Sequence, residues 1–275
     1  MSAHFSFKGR TAVVTGAASG IGAALADALA DRGCNLILAD INAEGLAAVA
    51  ERAARPFQTV TTRVLDIADG KAIKAFAAEV SDSGGPVHLL FNNAGVALGG
   101  TFDQVSEADF DWLMDINFYG VVRMTRAFLP LLQRADQAQL VNVSSIFGIV
   151  APPGQSAYSA AKFAVRGFSA ALRHELDGTS VGVTTVHPGG IATSIADNAR
   201  MPAGTGEAEI EERRDWARRA LVLSPDEAAR IILKGVERRK PRVLVGRDAH
   251  TIAILERLNP VNYWKMIEGQ LRPKS

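Results

Sequence analysis

Seven short runs of apolar and β-branched residues alternate with longer stretches of helical character, and this alternation constrains the fold more than any other feature of the chain. The strand candidates are residues 11–15, 35–39, 60–65, 87–91, 140–143, 181–186 and 242–245. Helical patterns cover 21–32, 44–55, 71–81, 106–133, 157–176 and 224–236. Ser106, with Asp109 behind it, marks one helix start. Ser224-Pro225-Asp226-Glu227 marks another, joining a cap, a preset dihedral and two carboxylates. Strands that read as near-continuous apolar runs expect cover on both faces. The pattern therefore predicts an α/β single domain over residues 1–275, a doubly wound parallel sheet of about seven strands with helices on both faces. Two segments fit the alternation poorly: the polar, glycine-punctuated 190–223, expected to be a loop acting as a lid, and the tail 249–275.

Composition closes off several classes. Apolar residues are 48% of the 275, enough for a large core and against global disorder. Thirty Lys and Arg against 29 Asp and Glu leave a net charge of +1, so no overall excess draws the chain to nucleic acid or to an anionic membrane. Cys34 stands alone, and the five histidines show no ligand spacing, so neither a disulfide nor a metal site is expected and the chain reads as cytoplasmic. The N-terminus lacks the apolar segment of a signal peptide. The longest uncharged stretch, 137–161, is broken by Asn142, Pro152, Pro153 and Gly154, which argues against a membrane span.

The first turn carries the first chemistry. Thr15-Gly16-Ala17-Ala18-Ser19-Gly20-Ile21-Gly22 follows the first strand and opens the first helix. Glycines there allow a tight turn and close backbone approach to a diphosphate, while free N–H groups and the helix dipole favour its charge. Asp40 ends the second strand, where a carboxylate can accept hydrogen bonds from an adenosine ribose and repel a 2′-phosphate. Ser19 and Ile41, the two positions that could instead offer a cation, are not basic, so NAD is expected over NADP.

Tyr158 and Lys162 are four residues apart on a predicted helix and so share a face. A nearby ammonium stabilises a tyrosinate and is expected to lower the phenol's pKa. Ser144-Ser145 ends the fifth strand, at the sheet edge where open α/β folds bind ligands.

These pieces, with Asp66-Ile67, Asn92-Asn93-Ala94-Gly95, Asn117, and Pro188-Gly189 followed by Thr193, occur in the order and spacing of one family. From residue 8 to about 195 the chain resembles the short-chain dehydrogenases/reductases, whose fold is a Rossmann-type doubly wound sheet. The resemblance implies an oxidoreductase that moves a hydride between a nicotinamide cofactor and a secondary alcohol or ketone. Position by position, it implies that Tyr158 is the acid/base and that Ser145 holds the substrate oxygen. Lys162 would bind the nicotinamide ribose and depress the tyrosine, and Asn117 would hold a water that relays protons. It further implies that Asp66 bonds the adenine amino group, that Ile67 lies beside the ring, that Asn93 lines the adenosine region, and that Thr193 bonds the carboxamide. Gly16, Ser19, Gly20, Ile21 and Gly22 would cradle the cofactor, with Asp40, Ala94, Gly95, Pro188, Gly189 and Ile191 completing its site.

Val96, Leu98, Ile146, Phe147 and Val150 are expected beside the reacting centre and suggest an apolar small-molecule substrate, steroid-like, aliphatic or aromatic. The Glu/Arg run from Glu207 to Arg219, which includes Arg213, reads as a solvated helix with paired charges; Trp216 lies within it. The tail reads as a subunit or core contact. The other reading, an amphipathic membrane-touching surface, is disfavoured because basic residues do not dominate its polar positions. The 106–133 and Tyr158 helices are apolar over more than one stripe, which predicts a homodimer or homotetramer. Of two competing functions, a non-catalytic NAD-binding regulator predicts damage at Ser145, Tyr158 or Lys162, and all three are intact. A serine hydrolase needs a Gly-x-Ser-x-Gly elbow, which the chain lacks.

Overall fold

Strand β1 (Thr11–Thr15) shows why the sheet is parallel and covered twice: four of its five residues are buried, on both sides of the pleat. The computed structural model describes residues 4–271. In chain order, β1 is followed by α1 (Gly20–Ala30), β2 (Asn35–Asp40), α2 (Ala43–Ala53), β3 (Val60–Val64), α3 (Gly70–Asp82) and β4 (Leu89–Asn92). Then come α4 (Glu107–Met114), α5 (Val121–Gln133), β5 (Ala138–Val143), α6 (Ser156–Glu175) and β6 (Val181–Pro188). After these come α7 (Glu207–Ala220), α8 (Pro225–Glu237), β7 (Arg242–Val245), α9 (Arg247–Leu258) and α10 (Tyr263–Leu271).

All seven strands pair parallel in the order β3-β2-β1-β4-β5-β6-β7. The winding reverses between β1 and β4, which opens a crevice at the carboxyl ends of those strands. One face of the sheet packs Leu25, Leu29, Leu36, Phe91, Ile232 and Leu233 beneath α1 and α8. The other packs Phe76, Leu90, Met124, Phe128 and Leu140 beneath α3, α5 and α6. Among the described residues, no helix is long and apolar enough to cross a membrane.

Local signals account for most helix starts. Ser106 Oγ accepts from the Asp109 N–H at 3.1 Å, and Ser224 Oγ accepts from the Glu227 N–H at 3.2 Å. The expected helix over 106–133 is not continuous. A π-helical turn, Asp115–Gly120, separates α4 from α5. One wider turn rotates Asn117 into the interior, where it is fully buried, and sets Gly120 against Ile67. Apolar periodicity does not register such an insertion. The 190–223 segment contains α7, and the tail forms the pair α9 and α10; among the described residues neither adds a strand.

Candidate active site

The glycine turn is dictated by close contacts. Gly16 has φ +64°, and a Cβ there would lie 2.7 Å from the Ala94 Cα. A Cβ on Gly22 would lie 1.9 Å from the Gly16 carbonyl oxygen. Both values are below any real carbon contact, so the turn holds this shape only with glycine at the two positions. Thr193 packs on the same turn, its Cγ2 3.0 Å from where a Gly20 Cβ would stand. No side chain caps α1 at Ser19, whereas Asn42, Asp69, Ser106 and Ser224 cap α2, α3, α4 and α8. The first N–H groups of α1, including those of Ile21 and Gly22, are therefore left to a ligand or solvent.

The strand ends next to this turn are tied together. Asn93 donates from Nδ2 to the carbonyls of Thr15 and Gly16, at 3.0 and 3.1 Å. Thr15 Oγ1 accepts from the N–H groups of Asn93 and Ala94. Asp40 Oδ2 accepts from the Ala18 N–H at 3.0 Å and its Oδ1 from Asn42 at 2.9 Å. Its carboxylate thus stands at the edge of the glycine turn, and Ile41 beside it is 68% exposed. Leu65 donates its N–H to the Asp40 carbonyl, which places Asp66 and Ile67 next along the same rim. Asp66 is exposed and closes a local turn through the Ala68 N–H, while Ile67 is buried against Gly120. The residues expected to hold a dinucleotide therefore line one rim at the carboxyl end of the sheet, and the open α1 terminus and glycine-lined turn suit a diphosphate.

A second cluster sits where β4, β5 and α6 meet. Lys162 is buried, and its Nζ donates to the Val143 carbonyl at 3.2 Å and lies 5.6 Å from the centre of the Tyr158 ring. Burial pulls its pKa from 10.5 to about 8. Gly95 leaves the space that Lys162 needs: a Cβ there would be 3.4 Å from Nζ and 3.1 Å from Asn117 Oδ1. Ser145 lies just past the end of β5, close enough to the Tyr158 phenol to lower its pKa. The sequence spacing predicts a lowered phenol pKa. In the structure burial pushes the Tyr158 phenol up and Ser145 pulls it down, and burial is the larger effect. Lys162 Nζ stands 5.6 Å from the centre of the ring, and its charge is not among the effects that set the phenol's pKa.

Asn117, in the π-helical turn, clasps the backbone of Val96. Its Oδ1 accepts from the Val96 N–H at 2.8 Å and its Nδ2 donates to the Val96 carbonyl at 2.9 Å. The side chain is engaged in fixing the loop after Gly95.

Other residues that build the site give no local sequence signal. A buried chain runs from Thr125 and Asn92 through Asn142 to Ser169, with bonds of 3.1, 2.8 and 2.9 Å. It pins α5 and α6 to β4 and β5. Ser144 Oγ donates to the Lys162 carbonyl at 2.9 Å. Buried His187 bonds the Ser145 carbonyl through Nδ1 at 2.9 Å, and burial pulls its pKa down to about 4. Asp248 accepts from the Gly190 N–H at 2.7 Å, and a Cβ on Gly189 would collide with it at 2.1 Å. The turn after Pro188 is thereby held by α9. These partners lie far apart in sequence, so only their pairing reveals them.

The walls come from both irregular segments. Leu98 bridges Arg200, whose guanidinium stacks 3.7 Å over Trp112 and pairs with Asp109 at 2.8 Å. Ile191, itself buried, bridges Leu223. Val96 and Leu98 pack with Tyr158, and the Phe147 ring meets Tyr158 edge-on at 6.2 Å. Ile146 and Val150 are buried beneath Ile252, Ala253 and Tyr263, and the Tyr263 hydroxyl accepts from the Ala151 N–H. One face of the tail is therefore a core contact. On α7, Arg218 pairs with Glu211, Asp215 and Asp197 at an exposed surface. The side chains of Arg213 and Trp216 lie outside the described residues.

The model of short chain dehydrogenases matches residues 10–203. The chain is 42% identical over 264 residues to the putative oxidoreductase SadH of Mycobacterium tuberculosis, covering 95% of each. Its structure resembles that of a short-chain dehydrogenase/reductase from Burkholderia phymatum in complex with NAD, at TM-score 0.85 and 30% identity over 98% of both chains. It also resembles a metagenomic short-chain oxidoreductase in complex with NADP, at TM-score 0.71 and 28% identity over 88% of this chain and 98% of that one. With the glycine turn, the tied strand ends and the buried Tyr-Lys-Ser cluster on one sheet edge, the chain belongs to the short-chain dehydrogenase/reductase family of oxidoreductases.

Proposed function

We propose that the protein is an NAD-dependent dehydrogenase/reductase acting on an apolar secondary alcohol or its ketone. The observation that carries this is the cluster itself: a half-buried phenol beside Ser145, a buried ammonium 5.6 Å from the centre of its ring, and an uncapped glycine turn. When bound, a nicotinamide dinucleotide supplies the hydride acceptor or donor. The chain's residues supply position and proton handling. Gly16, Ser19, Gly20, Ile21 and Gly22 offer backbone to the diphosphate. Asp40 accepts from ribose hydroxyls and repels a 2′-phosphate. Asp66, Ile67, Asn93, Ala94 and Gly95 line the adenosine side, and Pro188, Gly189, Ile191 and Thr193 the nicotinamide side.

In oxidation, Tyr158 Oη takes the proton from the substrate hydroxyl. In reduction, it returns that proton to the forming alkoxide. Ser145 Oγ donates to the same oxygen, most strongly when that oxygen carries most charge. The Lys162 ammonium, mostly protonated at neutral pH with a pKa of about 8, stands beside the Tyr158 ring and is left to hold the nicotinamide ribose hydroxyls, while Ser145 opposes the upward push of burial on the phenol. Asn117, at the π-helical turn, and Lys162 flank Gly95, where a water can link the ammonium to solvent. Val96, Leu98 and Phe147 keep the reacting carbon in an apolar surround. The 190–223 segment acts as a lid.

Tyr158→Phe tests the reading: turnover of NAD with a panel of secondary alcohols falls at least a thousandfold while NAD affinity changes little. Near-native turnover by that variant sinks the assignment. We further propose a cytoplasmic homodimer or homotetramer built on α5, the π-helical turn before it, and α6, where Tyr119 of that turn and Phe163 of α6 are exposed.

A further inference from the structure

Strand β7 is a free edge of the sheet. A groove of about 440 Å³ runs beside it, between α8 and α9. Lys234, Arg238, Lys240, Arg242 and His250 line it. Among the described residues, the four Lys and Arg side chains have no hydrogen-bonded or ion-pair partner. Burial holds Arg242 below the ordinary guanidinium range; Arg166 presses it further down, Glu256 pulls it back up, and Arg257 adds a smaller downward push. The groove thus gathers four cations on one edge, with Glu256 the one carboxylate felt by Arg242.

Helix α9 extends this surface. Its exposed face carries Arg247, His250, Ile254, Arg257 and Leu258 at helical spacing. Its other face, Ala249, Ile252 and Ala253, packs on the 146–150 loop. Ile254 is 58% and Leu258 78% exposed, and Val261 at 84% and Met266 at 47% continue the apolar strip beyond the helix.

We propose that this edge docks on an anionic phospholipid bilayer. The groove cations take lipid phosphates, and Ile254, Leu258 and Val261 enter the interface. Charges beside an edge strand can guard it against strand pairing, but that task leaves the exposed Ile254 and Leu258 among the cations unexplained. A second copy placed on this edge by two-fold symmetry would set the cations against their own duplicates. A bilayer with anionic headgroups offers both an opposite charge and an apolar layer. The tail alone lacks the basic excess for this. The fold supplies it by bringing Lys234, Arg238, Lys240 and Arg242 beside His250 of α9.

Sedimentation of the full-length protein with vesicles is the test, and its readout is independent of catalysis. Vesicles of phosphatidylcholine with phosphatidylglycerol should pull the protein down at low salt, and vesicles of phosphatidylcholine alone should not. Arg238→Glu with Lys240→Glu, and separately Ile254→Ser with Leu258→Ser, should each weaken binding about tenfold or more. Both pairs are exposed, so circular dichroism should stay unchanged. Absence of binding to the anionic vesicles overturns the proposal, as does equal binding to neutral ones. Thermal protection by inorganic phosphate that the charge reversals abolish, without vesicle binding, replaces it with a free-anion site. Loss of oligomers in either variant, without vesicle binding, replaces it with a subunit contact.

Discussion

Lys162 is costly to the fold, and replacing it with methionine should stabilise the cofactor-free protein while destroying its activity. The ammonium is buried and its pKa falls from 10.5 to about 8. In the unfolded chain the group therefore holds its proton more tightly. Between pH 8 and 10.5 the unfolded state binds more protons than the folded state, so this group makes stability rise with pH across that window. Below pH 8 the full penalty applies, roughly 3 kcal/mol at 1.36 kcal/mol per pH unit. Lys162→Met removes the penalty. It also leaves the Val143 carbonyl without one donor, at a cost of about 1–2 kcal/mol. The net gain at pH 7 is on the order of 1–2 kcal/mol, a rise in Tm of about 2–6 °C for a domain of this size. By pH 10 most of the penalty has vanished from the wild type, so the order of stability should reverse. Paired thermal melts of the two proteins at pH 7 and pH 10, without cofactor, measure this, because the difference cancels every other titrating group. A variant less stable than wild type at pH 7, or a gap that does not change with pH, contradicts the assignment of Lys162 as a strained buried ammonium.

The remaining expectations follow from single contacts. Gly22→Ala should lower stability by about 1–3 kcal/mol and abolish dinucleotide binding in titration calorimetry, since its Cβ would lie 1.9 Å from the Gly16 carbonyl. Asp40→Ser with Ile41→Arg should shift preference from NAD toward NADP, and wild-type protein that binds NADP more tightly contradicts the role given to Asp40. His187, buried with a pKa of about 4, must gain a proton on unfolding in acid. It should therefore contribute a loss of stability as pH falls from about 6.5 to 4, of roughly 3 kcal/mol in all, and His187→Asn should flatten that part of the pH profile of Tm. Arg200→Ala should speed amide exchange near residues 97–99 and 200, because it removes both the stacking on Trp112 and the pair with Asp109.

The chain's own order of residues determined the seven strands, the parallel sheet and the glycine turn, because each rests on local periodicity, capping or backbone freedom. Short-range spacing also put Tyr158 and Lys162 on one helix face. Tertiary structure decided what spacing cannot express. Burial raised the phenol and lowered the ammonium, and desolvation depends on the whole surround of a group. The π-helical turn swung Asn117 inward to clasp Val96, a one-residue shift invisible in an apolar pattern. The partners that fix the site, such as Asn92 with Asn142, Ser145 with His187 and Gly190 with Asp248, stand 42 to 58 residues apart and meet only when strands pair and helices cross over. The same crossing placed residues 234–242 beside α9 and created a cationic edge on a chain whose net charge is +1. Net charge is a sum over residues, whereas a field is set by where the fold puts them.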